Sequence, residues 1–299
     1  MNREALRARF REGVVLDGGL ATELERRGED LGDDLWSARV LLEAPARIRE
    51  AHAAFFAAGA DVAITASYQA SFEGFARRGL DEAATRALLR RSVELAREAA
   101  SEVGGDRLVA ASVGPYGATL ADGSEYVGRY GRTSRELADW HRPQLEALLD
   151  AGADLLAIET IPAAEEVEAI VGLLGEYPEA IAFVSCSCRD GEHLADGTSF
   201  ADAAATAASA AAVIAVGVNC TDPAHVPSLL RSAAGVGAPL LAYPNLGATY
   251  DAATNTWHAD GPPPDLGAAS RAWRAAGATP VGGCCGVSPE DVAAIAATR

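Results

Sequence analysis

Eight short apolar, β-leaning runs alternate with longer helical patterns along this chain, and no other feature restricts its fold as much. The runs are Val14–Asp17, Val62–Ala66, Leu108–Val113, Leu155–Glu159, Ile181–Ser185, Ala212–Val218, Leu240–Tyr243 and Pro280–Gly282. Helical patterns at Pro45–Ala58, Asp81–Val103, Ser134–Ala151, Ala163–Leu174, Phe200–Ala210, Pro223–Ala234 and Asp265–Ala276 separate them. Strands that are apolar throughout are buried on both faces, which is the habit of a parallel sheet covered by helices. One helix-exit device recurs before a strand: "AAGAD" at 57–61, "DAGAD" at 150–154 and "AAGAT" at 275–279. Eight such units in 299 residues predict an α/β fold of the (β/α)8 TIM-barrel type, one domain over residues 1–299. The glycines after the first run, "LDGGLATEL", lack GxGxxG spacing, which disfavours a dinucleotide-binding open sheet. The longest irregular stretches, Gly114–Thr133 and Pro244–Pro264, both follow strands and are expected to be catalytic-face loops.

Charge and cysteine usage narrow the function. A formal net charge of −17 repels phosphate backbones and anionic lipid, so neither nucleic acid nor a membrane surface is an expected partner. The charged start, MNREALRARFREG, has no apolar signal core, and no run reaches the ~18 apolar residues of a membrane span. A cytoplasmic protein is expected, as a monomer or small homo-oligomer. The cysteines are Cys186, Cys188, Cys220, Cys284 and Cys285; an odd, late cluster argues against a disulfide framework.

In a (β/α)8 barrel the chemistry gathers at the C-terminal ends of the strands. Those ends carry Asp17, Thr65, Ser112, Glu159, Ser185, Asn219 with Cys220, Tyr243 to Asn245, and Cys284 with Cys285. Across a rim about 15 Å wide the thiols of Cys220, Cys284 and Cys285 can converge. Three thiolates suit Zn2+, and a fourth, open position favours a soft ligand such as a substrate thiol. The alternative is three buried thiols that only pack. Cys186 and Cys188, two apart on one strand, are expected to pack. Asp17 and Glu159 suit recognition of an ammonium group or acid–base work; a loop cap or an arginine pair is the alternative. Gly18 and Gly19 leave backbone amides free to approach a carboxylate.

The segments "VLDGGLATELERRG", "DLWSARVLLEAP", "TASYQAS", "SVGPYGATLADGSEYVGRY", "ETIP", "DGTSF", "VGVNC" and "GGCC" occur in this order. Together they resemble the homocysteine S-methyltransferase family, over essentially the whole chain and nearest its S-methylmethionine-dependent branch. The resemblance implies that Cys220, Cys284 and Cys285 hold zinc and that homocysteine's sulfur takes the fourth position. It implies that Asp17 and Glu159 hold the amino group, with the amides at Gly18 and Gly19 near the carboxylate and Asn219 among the substrate-binding residues. Trp36, Tyr68 and Tyr116 would line the donor site. The implied reaction moves a methyl group from a sulfonium donor, S-methylmethionine or S-adenosylmethionine, to homocysteine, forming methionine. Betaine as donor, selenocysteine as acceptor, or a zinc- and thiol-binding barrel without turnover are the alternatives. Two places depart from the family pattern: "GGCCG" stands where "GGCCR" is common, and "YPNLGA" where "YPNSGE" is common, so Gly286, Leu246 and Ala248 are the unusual residues.

Overall fold

A computed structural model describes residues 1–31, 37–120, 122–247, 249–251, 256–258 and 261–299. Its strands are β1 Val62–Ile64, β2 Leu108–Val113, β3 Leu155–Ile161, β4 Ala182–Cys186, β5 Val213–Asn219, β6 Leu240–Tyr243, β7 Thr249–Asp251, β8 Thr256–His258 and β9 Ala278–Val281. Seven of them form one all-parallel sheet in the order β1-β2-β3-β4-β5-β6-β9, while β7 and β8 pair as an antiparallel hairpin. The helices are α1 Arg3–Glu12, α2 Leu20–Arg26, α3 Ser37–Glu43, α4 Pro45–Ala57, α5 Phe72–Arg77, α6 Glu82–Val103, α7 Ser134–Asp150, α8 Ala164–Leu174, α9 Phe200–Ser209, α10 Val226–Ser232, α11 Leu266–Ala275 and α12 Pro289–Ala296. Among the described residues, no helix is long and apolar enough to cross a membrane.

Seven of the eight expected runs are strands, within two or three residues at each end. The first, Val14–Asp17, makes only single parallel bridges, Val15 to Val281 of β9 and Leu16 to Val62 of β1. It therefore touches both outer strands of the sheet. The ladder toward β1 stops for a chemical reason: the Ile64 N–H, next in line for a backbone carbonyl, donates instead to Asp17 Oδ2 at 2.7 Å. A side chain that replaces a ladder bond also fixes that side chain, so Asp17 is immobilised at the strand end.

The three expected helix exits hold. Gly59, Gly152 and Gly277 have φ of 107°, 75° and 109°, a region that L side chains avoid. Helix α7 opens with the Thr133/Glu136 capping box that its sequence encodes. The helix expected over Pro223–Ala234 is shorter, because Asp222 Oδ1 accepts the Ala224 N–H and holds a turn ahead of α10. The short helices α2, α3 and α5 and the β7–β8 hairpin lie in stretches too brief for a periodic pattern.

Period-two alternation sorts each strand between two cores. On β3, Leu155 and Ala157 point into an inner cluster with Leu16, Ile64, Ala110, Phe183, Ile214 and Leu241. Leu156 and Ile158 join the outer layer against the helices. Helix α1 plugs the inner cluster with Leu6 and Phe10, and Phe10 meets Phe183 at 6.3 Å between ring centroids.

One buried group sits in this frame at a cost. His52 on α4 is fully buried and neither ring nitrogen has a partner. Burial pulls its pKa down to about 4. The unfolded chain then takes up a proton near ~6.5, before the folded chain does, so this group weakens the fold as pH falls through that window. His52→Leu is expected to raise the melting temperature by roughly 2–4 °C at pH 7, with the gain growing toward pH 4. Calorimetry at pH 7 and pH 5 checks this; a gain that shrinks at pH 5 would contradict the account.

Candidate functional site

Cys220 directly follows β5, with φ of 46°, outside the comfortable range of an L residue. Cys284 and Cys285 follow β9 in a turn that only glycines permit. A Cβ on Gly282 would stand 2.7 Å from Leu16 Cβ, and one on Gly283 would stand 2.4 Å from Val287 Cγ1. The Cys284 N–H donates to Pro244 O at 2.7 Å, which ties this turn to the end of β6. The three sulfurs then meet. Sγ of Cys220 lies 3.1 Å from Cys284 and 3.4 Å from Cys285, and the latter two are 4.0 Å apart. These separations exceed a disulfide's ~2.05 Å. They bracket the about 3.8 Å between sulfurs that tetrahedral coordination at Zn–S ≈ 2.3 Å requires. Among the described residues, these three form a cluster able to hold a metal ion.

The thiols ionise as a group. Contacts from Cys284 and Cys285 hold Cys220 well below the ordinary cysteine value, and the charge placed on Cys220 pushes Cys284 and Cys285 well above it. Three thiolates can coexist here only beside a cation.

Asn219 lies beneath this cluster rather than in the cavity. It is fully buried, and its Oδ1 accepts from the Thr160 N–H and from Ser185 Oγ, each at 2.7 Å. Its Nδ2 donates to Thr160 Oγ1 at 2.7 Å. Thr160 has φ of 63°, so one amide clamps a second strained residue beside Cys220. Its hydrogen-bonding groups thus join Thr160 and Ser185 at the strand ends to the Cys284 sulfur.

The cavity against the thiols is lined by Gly18, Gly19, Leu20, Ala21, Thr22, Thr65, Tyr68, Gln69, Glu125, Tyr126, Glu159, Thr160, Tyr243 and the three cysteines, with Ile64 behind them. Glu159 takes a hydrogen bond from Ser112 Oγ on Oε1. Burial pushes it up to about 8, with the Asp17 and Cys220 charges adding to that and Ser112 opposing it. Asp17 stands behind Tyr243, whose hydroxyl donates to Oδ1 at 2.9 Å; burial outweighs that bond and the Ile64 N–H and raises Asp17 to about 7. Glu125, which the motif reading passed over, is raised by burial to about 7.

The glycines after Asp17 line the cavity and also serve the packing of this turn. The Gly19 N–H donates to Val287 O at 3.0 Å, and a Cβ on Gly19 would stand 2.8 Å from Cys284 O. They allow this turn to lie flat against the thiol turn. The amides of Leu20, Ala21 and Thr22 open α2 and have no intrahelical acceptor.

Of the aromatic residues, Tyr68 lines the cavity and Tyr116 does not. Tyr116 packs edge-on against Tyr130 and Trp140, at 5.3 and 5.2 Å, beneath the Arg132 guanidinium. Its N–H is held by Glu166 Oε1 at 2.7 Å. The same loop sends Tyr126 to the cavity instead, with its hydroxyl 3.8 Å from Cys220 Sγ. "GPYGATLADGSEY" contained both tyrosines; which one faces in depends on the turn at Gly123, φ 80°. Trp36 and Ala248 lie outside the described residues. Gly286 and Leu246 are neighbours: Gly286 has φ of 86°, and a Cβ on it would stand 2.9 Å from Leu246 Cδ1. The two unusual residues fit each other. Cys186 and Cys188 are buried in the helix-facing core, as packing requires.

A family model described as "Homocysteine S-methyltransferase" matches residues 14–299. The chain belongs to the homocysteine S-methyltransferase family. It is 49% identical over 294 residues to the Homocysteine S-methyltransferase YbgG of Bacillus subtilis, covering 95% of this chain and 93% of that one. It is 50% identical over 292 residues to the Homocysteine S-methyltransferase of Escherichia coli, covering 95% and 94%. The metallated form of the homocysteine methyltransferase MmuM from Escherichia coli superposes with a TM-score of 0.87 at 47% identity, covering 99% of each chain.

Proposed function

We propose that this chain is a zinc-dependent methyltransferase that moves a methyl group from a sulfonium donor, S-methylmethionine first among them, to homocysteine. The observation that carries the reading is the meeting of Cys220, Cys284 and Cys285 at 3.1 to 4.0 Å on the wall of a cavity that also holds Glu159 and Glu125. The bridges from Val14–Asp17 to both β1 and β9 support an eight-stranded (β/α)8 barrel in one domain over residues 1–299, closed by that segment.

Cys220, Cys284 and Cys285 would hold Zn2+, with the fourth position left to the acceptor sulfur. When bound there, zinc supplies a charge that keeps a thiol deprotonated at neutral pH. Glu159, backed by the charge of Asp17, binds the acceptor's ammonium group. The amides of Leu20, Ala21 and Thr22 meet its carboxylate. Tyr68 and Tyr126 line the cavity beside the thiols and keep water from the reacting sulfurs, and a sulfonium seated over an aromatic face gains ~0.5–2 kcal/mol by a cation–π contact. In the transfer, the bond from methyl carbon to donor sulfur breaks as the bond to the acceptor sulfur forms. The donor leaves as a neutral thioether, so S-methylmethionine and homocysteine give two methionines. Aligning the two sulfurs about one carbon is the main task of the cavity.

The test is methionine formation from homocysteine by the zinc-loaded protein, with S-methylmethionine, S-adenosylmethionine and betaine offered separately. Turnover with S-methylmethionine at least tenfold above the other donors is expected. Turnover with betaine alone would overturn the donor class. Zinc retained with no turnover from any donor would move the reading to selenocysteine as acceptor or to binding without catalysis.

A further inference from the structure

Three carboxylates stand near the thiols, and their hydrogen bonds differ. Asp17 has a donor on each oxygen, Ile64 N–H and Tyr243 Oη. Glu159 has Ser112 on Oε1. Glu125 is 3% exposed, lines the cavity, and keeps Oε2 shielded from water with no partner. A buried acceptor without a donor is costly to the fold and rare, and on a cavity wall it marks a place where a ligand brings the missing donor.

The backbone holds Glu125 in this position. Its turn begins at Gly123, φ 80°, and runs through Ser124–Tyr126. Gly117 packs so closely that a Cβ there would stand 2.5 Å from the Glu125 N, and Ser187 Oγ donates to the Glu125 carbonyl at 3.4 Å. The next residue is Tyr126, the tyrosine that reaches Cys220.

The acidic groups also divide into two poles. Glu159 feels the charges of Asp17 and Cys220, whereas Glu125 feels those of Cys220 and Asp122. Cys220 belongs to both sets, and both carboxylates line the cavity that holds the thiols. Two amino acids meeting at the sulfurs would each bring an ammonium group that needs one acidic partner.

We propose that Glu125 binds the ammonium group of the methyl donor, so that the site selects sulfonium donors bearing a primary amine over those without one. This rests on the sulfonium-donor reading above. The chemistry is specific: an ammonium offers N–H groups to Oε2, while a sulfonium centre or a quaternary ammonium offers charge alone.

Calorimetric titration of the zinc-loaded protein, without homocysteine, separates the possibilities. The probes are S-methylmethionine and 3-(dimethylsulfonio)propionate, a sulfonium that lacks the amine. Wild type is expected to prefer S-methylmethionine by at least about tenfold, and Glu125→Gln to erase that preference by weakening S-methylmethionine alone. Zinc content, homocysteine affinity and binding of the amine-free sulfonium should stay within about twofold of wild type. Glu125→Asp, which keeps the charge but withdraws it by one methylene, is expected to fall between and serves if the glutamine variant does not fold. Equal weakening of both sulfonium compounds, or weakening of homocysteine instead, would overturn the assignment while leaving the methyl-transfer reading intact. Absence of methionine formation by wild type with every donor would overturn the reading of homocysteine as the methyl acceptor. Absence of sulfonium binding as well would remove the Glu125 assignment with it.

Discussion

Replacing Cys285 with alanine is expected to abolish zinc retention and methyl transfer together. Its sulfur is one of three that lie 3.1 to 4.0 Å apart, and no other described cysteine, histidine or acidic residue joins that cluster to take its place. Mutating groups that merely orient metal ligands typically costs 10- to 100-fold in metal affinity, and loss of a direct ligand should exceed that. Folding should suffer little, because Cys285 is only half-buried and follows the last strand. Metal per chain after dialysis and methionine formation measure the two effects. Cys186→Ala and Cys188→Ala are the controls: both thiols lie in the helix-facing core, and both are expected to keep zinc and activity while losing about 1 kcal/mol of stability. A Cys285→Ala enzyme that is metal-loaded and fully active would remove the basis of the assignment.

Asn219→Ala is expected to have the second-largest effect, and a different signature. The side chain makes three hydrogen bonds at 2.7 Å, to the Thr160 N–H, Thr160 Oγ1 and Ser185 Oγ, with no exposure to water. Its removal orphans buried groups and frees two residues held at positive φ, Thr160 and Cys220. Each unpaired buried group costs about 1–3 kcal/mol, so a stability loss of roughly 2–4 kcal/mol is expected. Because Cys220 adjoins Asn219, zinc affinity should also fall by about 10- to 100-fold, as for other supports of metal ligands. Chemical denaturation of the metal-free protein reads the first effect, and competition with a chelator reads the second. A variant with wild-type stability and wild-type zinc affinity would show that the clamp does not hold Cys220.

The same pair of residues marks how far a linear reading reaches. Cys220 was legible because a thiol at one strand end gains meaning from Cys284 and Cys285 at another. Asn219 was named beside it for its position in "VGVNC", and only the folded chain shows its amide joining Thr160 and Ser185 to the Cys284 sulfur. Tyr116 and Tyr126 repeat the lesson. Ten residues apart in one loop, they are equivalent in the sequence, and a glycine turn puts the second against the thiols while Glu166 and Trp140 hold the first outside. Glu125 carried no signal beyond its motif, because an unpaired oxygen exists only once the turn has closed over it.

Strand-and-helix alternation, the glycine exits, the three convergent cysteines and the acidic pair Asp17 and Glu159 could all be read from residue order. These features are encoded locally, as the periodicity of buried faces and the backbone freedom of particular residues, or by the rule that parallel strands present their ends on one rim. The seven-stranded register, the single bridges of Val14–Asp17, the fit of Gly286 against Leu246 and the choice of Tyr126 over Tyr116 depended on the folded chain. Each is settled by contacts between segments far apart in the chain, where a few tenths of an ångström of packing space or one side-chain hydrogen bond decides between arrangements that the sequence presents as equal.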